Sequence, residues 1–264
     1  MRTEIYLNNL ASQPRMEIKT FFTKKKILFM LIFFALVLVS KKINFSPLVG
    51  AENQFFTLFQ FFGPIAGSFL GPVFGIIAVL FAEISDFLIV GKEWSIVNLV
   101  RVLPMLFAVM YFGLKAKRRE FYGMVVPALC ILAFVMHPVG GVAWIYTIYW
   151  IIPIVANILP KKFSGNLLMR SLGATLTAHA VGSVIWIYTI PMGAEQWFAL
   201  VPIVGYERLL FALGVAGSYV VFNTTLDYVI TKWKIKIPSK VLFLDKRYAL
   251  LKNFSKVTIT NVTK

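Results

Sequence analysis

From Phe55 to Leu88 the chain reads FFTLFQFFGPIAGSFLGPVFGIIAVLFAEISDFL, thirty-four residues whose only charges are Glu83 and Asp86 near its end. A soluble helix of that length needs a polar face, and this run has none until its last turns. Two membrane-spanning segments, 54–70 and 71–91, fit instead. Between them Gly63-Pro64-Ile65-Ala66-Gly67 is followed eight residues later by Gly71-Pro72-Val73-Phe74-Gly75. Glycine lets helices approach closely, and proline removes a backbone donor. The pair predicts a tight hairpin near the cytoplasmic face; a broken helix lining a cavity is the second reading.

The rest of the 264 residues repeats this character, with 59% hydrophobic and 14% charged side chains. The expected architecture is all-α: a polytopic membrane bundle of six to eight transmembrane helices in the cell membrane. The other apolar segments are 27–45, 97–114, 121–138, 142–159, 168–190 and 205–230. Residues 1–26 form a basic N-terminal segment, 27–230 the transmembrane domain, and 231–264 a basic tail, read either as an interfacial helix or as loosely ordered. A long polar stretch precedes the first apolar run, which lacks a small-residue cleavage pattern and reads as a retained helix.

Basic clusters orient the bundle. Lys24, Lys25 and Lys26 precede the first segment; Lys115, Lys117, Arg118 and Arg119 follow the fourth; Lys161 and Lys162 the sixth; Lys232, Lys234 and Lys236 the eighth. Even numbers of crossings put all four clusters, and both termini, on the cytoplasmic side. Lys41 and Lys42 dissent, at the outer end of the first helix. The net charge of +16 points to anionic lipid headgroups as partners. Nucleic acid is not expected, because basic residues are not interleaved with aromatics. Sequons at Asn253 and Asn261 fall in the inward-facing tail.

One sequence occurs twice, HPVGGVAWIYTI from His137 to Ile148 and HAVGSVIWIYTI from His179 to Ile190, identical at nine of twelve positions and containing both histidines of the protein. On a helix the His, the Gly three residues on and the Trp seven residues on share one stripe. The topology inverts one copy relative to the other, an arrangement that frames substrate sites in transporters. A membrane-boundary role for the Trp and Tyr rings is the bland alternative. Ionisable residues inside a bilayer need a partner, water or lipid phosphate. Glu83, Asp86, Arg101, His179, Trp186 and Glu207 are expected to line an outward-facing cavity, with His137 and Trp144 as the other half-site. Arg208 is expected only to pair with an acid or a phosphate at the interface.

Chemistry has few handles here. The chain has no GxxxxGK[ST], HExxH or GxSxG sequence and no aspartate-rich diphosphate motif, so no enzyme class is indicated and no cofactor is expected. The histidines and carboxylates match no standard metal spacing, leaving a metal ligand open. Cys130, the single cysteine, excludes an internal disulfide and a cysteine metal cluster.

The Phe55–Leu88 stretch, through Gly63, Pro64, Gly67, Gly71, Pro72 and Gly75 and the acids Glu83 and Asp86 that follow, resembles the substrate-binding S components of energy-coupling-factor transporters. The resemblance covers these residues only; that family has six helices, and its first carries alanines four apart where this chain has Ala35 alone. It implies a membrane transport protein that binds a small solute, vitamin-like or a metal ion, for uptake. It also implies partners, a transmembrane coupling protein with ATPase subunits. In such a site Glu83 and Asp86 are expected to meet a cationic group, Arg101 an anionic one, and His179 with Trp186 the ligand body. A proton-coupled secondary carrier, an intramembrane enzyme acting on a lipid or prenyl substrate, and a non-catalytic assembly protein are the competing readings.

Overall fold

The computed structural model describes residues 24–47, 55–156, 158–160, 165–232 and 243–250. It is a helical bundle with one small ribbon. Helix α1 (Lys24–Ser40) is followed by β1 (Asn44–Pro47) and β2 (Phe55–Thr57), an antiparallel pair with Ser46 opposite Phe56. Next come α2 (Phe59–Phe62), α3 (Ala66–Leu70), α4 (Pro72–Val90), α5 (Ile96–Val100), α6 (Leu103–Gly113) and α7 (Ala116–Met136). The chain continues through α8 (Pro138–Val142), a 3-10 turn (Trp144–Thr147), α9 (Ile148–Ala156), α10 (Leu167–Thr189) and α11 (Ala194–Lys232).

This is a multi-pass membrane protein. Pro72–Val90, Ile96–Gly113, Ala116–Met136 and Ala194–Lys232 are each long and apolar enough to cross a bilayer. At 1.5 Å per residue the 19 residues of α4 match a hydrocarbon core of about 30 Å. Large apolar side chains such as Phe81, Leu88, Leu129 and Val221 remain exposed on the bundle's outside, as lipid contact requires. Helix α10 has the length to span but carries Arg170, His179 and the hydroxyl side chains of Ser171, Thr175, Thr177, Ser183, Tyr188 and Thr189. It is packed on α6, α7, α9 and α11, and its small residues let those neighbours come close.

The Gly-Pro hairpin forms as expected, with Pro64 at the break between α2 and α3 and Pro72 opening α4 after Gly71 at φ +81°. Its glycines serve contact. A Cβ on Gly67 would overlap the Val109 carbonyl, one on Gly113 the Gly67 backbone, and one on Gly75 the Gly67 and Ala66 backbone. Three helices, α3, α4 and α6, therefore meet backbone to backbone. Around this point Phe33, Val37, Phe69, Val79, Val109, Phe112 and Tyr219 make one core; Phe134, Tyr146, Trp150, Ile187 and Trp197 make a second.

The structure corrects several expectations. The first segment is helical only to Ser40, and the second begins as strand β2, so a two-stranded ribbon is attached to the all-α bundle. Helix α11 starts at Ala194, eleven residues before the apolar segment at 205. The Gln196 side chain accepts from the Gly193 N–H, and Glu195 lies in the first turn, both favourable at a helix start. Part of the tail is docked: Phe243 N–H donates to Phe69 O, Asp245 N–H to Asn223 Oδ1 and Leu250 N–H to Thr224 Oγ1. Hydrogen bonding to Arg247 holds the Asp245 carboxyl below the usual carboxylate range. Residues 1–23, Lys161, Lys162, Lys234, Lys236, Asn253 and Asn261 lie outside the described residues.

Gly67→Ala should lower stability by about 1–3 kcal/mol, the usual cost of overpacking, read as thermal unfolding in detergent. Gly217→Ala, where nothing lies within 4 Å of an added Cβ, should leave the transition in place; equal effects would contradict the three-helix contact.

Candidate functional site

Helix ends build a cavity of about 690 Å³ at the end of the bundle opposite the hairpin. The C-terminal parts of α4 and α10, the α5–α6 junction, the N-terminal half of α11 and the ribbon all contribute lining residues. The volume is that of small-molecule sites, about 300–1,000 Å³. Glu83, Asp86, Arg101, His179, Trp186 and Glu207 line it; His137 and Trp144 do not.

Lysine fills the acidic corner. Glu83 and Asp86, one turn apart on α4, both face the end of α1, where Lys41 Nζ lies 2.6 Å from Glu83 Oε2 and 3.0 Å from Asp86 Oδ2. Lys92 Nζ adds a 2.9 Å bond to Asp86 Oδ2. The Lys41 side chain is 9% exposed, and its ammonium sits 5.5 Å from the Phe59 ring centroid. The dissenting lysine of the charge pattern is thus turned inward. It neutralises the two carboxylates that the sequence offered to a cationic ligand.

Arginine dominates the opposite wall. The Arg101 guanidinium stacks 4.6 Å from the Trp186 ring centroid and donates from Nη1 to Asn98 Oδ1 at 3.2 Å. It has no carboxylate partner among the described residues. Arg208, 4% exposed, lies between the Phe56 and Phe211 rings and reaches Glu207 at 3.3 Å. Glu207 also accepts from Ser46 Oγ at 2.5 Å, which ties the ribbon to α11. Arg208 thus pairs with an acid, as expected, and does so buried on the cavity wall.

The two repeat copies fold differently and touch. In the second copy the helix is continuous, and His179, Gly182 and Trp186 all line the cavity. In the first copy Pro138 opens a five-residue helix, and His137 caps it by accepting from Val139 N–H. The helical stripe expected there is broken. Yet the contacts are reciprocal: His137 meets Tyr188 with ring centroids 5.0 Å apart, and Tyr146 meets His179 at 5.4 Å. The His of each copy packs on the Tyr of the other. Trp144 is exposed.

His179 is held from both sides. Trp150 Nε1–H donates to Nδ1 at 3.0 Å, and Tyr146 Oη lies 2.9 Å from Nε2. An indole only donates, so Nδ1 accepts and the ring proton resides on Nε2. Tyr146, Ser183 and Trp197 line the cavity with His179; Tyr146 and Ser183 belong to the repeat copies, Trp150 to an apolar segment and Trp197 to the stretch between two segments, and nothing in the sequence marked the four as site residues. No group of three His, Cys, Asp or Glu side chains gathers as a metal site among the described residues.

The chain matches no family model and no solved structure. It is similar to an uncharacterized protein of Methanocaldococcus jannaschii, 23% identical over 197 residues, which cover 69% of this chain and 66%, just under two thirds, of that relative.

Lys41→Met should cost about 3–5 kcal/mol, because it strands buried carboxylates. Adding Glu83→Gln should recover much of the loss in a thermal-unfolding cycle; strict additivity would show the pair to be uncoupled. His137→Ala should cost only about 1 kcal/mol, a lost cap, whereas Tyr146→Phe should disturb the His179 resonances seen by NMR.

Proposed function

We propose that this protein binds a small solute in the cavity and serves its uptake across the membrane, as the substrate-specificity subunit of an ATP-driven transporter. The observation that carries the reading is the cavity itself: a membrane-embedded space of small-molecule size, lined by charges of both signs and by aromatic rings. Charged residues are costly in a bilayer unless they serve a ligand or ion path. The far end of the bundle carries Lys115, Lys117, Arg118 and Arg119, which by the positive-inside tendency makes the cavity outward-facing.

Two features of the sequence support an external energy source. The chain lacks a phosphate-binding loop of its own, and its Gly-Pro hairpin resembles that of the S components. A coupling membrane protein with ATPases would then supply the work. The hydrogen bonds of His179 favour a positioning role for it over proton exchange, since Nδ1 is occupied by an indole donor. This gives binding precedence over the carrier and enzyme readings.

A cavity-filling variant tests the site. Gly182 lines the cavity, and its Cβ position meets only Pro104, at 3.4 Å or more. Gly182→Leu should therefore fold normally yet lower solute retention or uptake by about tenfold or more, the equivalent of about 1.4 kcal/mol. Unchanged uptake would contradict the assignment. Affinity purification from the native membrane should recover a coupling protein with ATPase subunits; recovery of the chain alone, beside intact control complexes, would favour a solitary carrier.

A further inference from the structure

The polar atoms left over at the cavity are all of one kind. Among the described residues, the buried side-chain nitrogens and oxygens without a partner are Arg101 Nε, Trp197 Nε1, Arg208 Nε and Ser171 Oγ. Ser171 does not line the cavity; the other three residues do. Guanidinium and indole N–H groups donate and cannot accept. Trp197 and Arg208 are 1% and 4% exposed, so bulk water does not meet their needs.

The buried carboxylates on the same walls are taken, and Glu93, the remaining acid of the lining, is exposed. Glu83 and Asp86 accept from Lys41 and Lys92, and Glu207 accepts from Ser46 and Arg208. A cationic solute would have to displace the buried Lys41 ammonium to reach Glu83 or Asp86. An anion needs no such exchange: Arg101 has no carboxylate partner among the described residues, and Arg208 and Trp197 line the same cavity.

Resting on the solute-binding reading above, we infer that the site selects a water-soluble anion, bearing a carboxylate or phosphate, whose oxygens take the free donors of Arg101, Arg208 and Trp197. Its flat or apolar body lies along the Trp186 face, which Arg101 already covers on one side. Lys41 is then the site's fixed internal cation. It closes the acidic corner to amines and leaves the net preference to the arginines. Charge-assisted hydrogen bonds to a guanidinium are the strong ones, and a planar fork fits both oxyanion classes. Arg208 and Trp197 thereby join Arg101 as specificity-determining residues.

The test uses the full-length protein, purified in mild detergent and washed free of lipid, then incubated with the small-molecule fraction of a cell extract. Retained compounds are released by denaturation and identified by mass spectrometry, with aqueous and organic phases analysed separately. The expected result is an aqueous compound carrying a carboxylate or phosphate. Its amide or ester should bind about 10- to 100-fold more weakly, the range of a lost hydrogen bond to a charged group, as read from tryptophan fluorescence. Trp197→Phe, which removes only the N–H, and Arg101→Gln should each weaken it, while Arg247→Gln at the far end should not. Retention of an amine or an uncharged compound would overturn the anion inference and leave solute binding standing. Retention of a phospholipid in the organic phase would overturn it as well. If a folded preparation retains no compound, the inference and the solute-binding reading both fall.

Discussion

An ammonium group buried between two carboxylates sets the terms for one whole end of this bundle. Lys41 leaves α1 one residue past its last turn and reaches Glu83 and Asp86 on α4, so the first helix is fastened to the fourth where both approach the membrane boundary. Ions in low dielectric need partners, and Lys41 finds them just where α1 ends at Ser40 and the chain turns toward the ribbon. The ribbon in turn presents Ser46 to Glu207 and Phe56 to Arg208. The cavity walls are thus linked through charge, from α1 across α4 and β1 to α11.

At the other end the bundle relies on the opposite device, the absence of side chains. Gly67, Gly75 and Gly113 bring three backbones together, and the docked segment 243–250 covers the hairpin through Phe243 and the end of α11 through Asn223 and Thr224. A bundle closed by backbone contact at one end and spread by charged side chains at the other is naturally cleft-shaped. That shape places the space where the polar residues are.

Much of this was legible in the sequence because membrane helices announce themselves by hydropathy. Helices answered most of the apolar segments, and six of the eight expected site residues, Glu83, Asp86, Arg101, His179, Trp186 and Glu207, line one cavity, while His137 and Trp144 do not, and the polar exceptions Arg170 and Asp227 also lie outside it. What hydropathy does not register was missed. The α11 start depends on local capping by Gln196, and Trp197 enters the site only because α11 begins eleven residues before the apolar segment. The repeat misled in one respect. Nine shared letters predicted two like helical stripes, but Pro138 at the second position of the first copy, where the other has Ala180, breaks the helix and makes His137 a cap. The reciprocal His–Tyr contacts survive, one pair inside the protein and one toward its exterior, so a single two-fold arrangement carries two unequal roles.

The central proposal is that the space beside Arg101 and Trp186 is a solute site whose buried acids are already satisfied from within. A high-resolution structure of the protein carrying its native solute tests it most directly. The account predicts density for the solute against Trp186, its oxygens at Arg101 and Arg208, with Lys41 still between Glu83 and Asp86. Solute bound on Glu83 and Asp86 with Lys41 displaced, or bound elsewhere on the protein with this space filled by side chains, would contradict it.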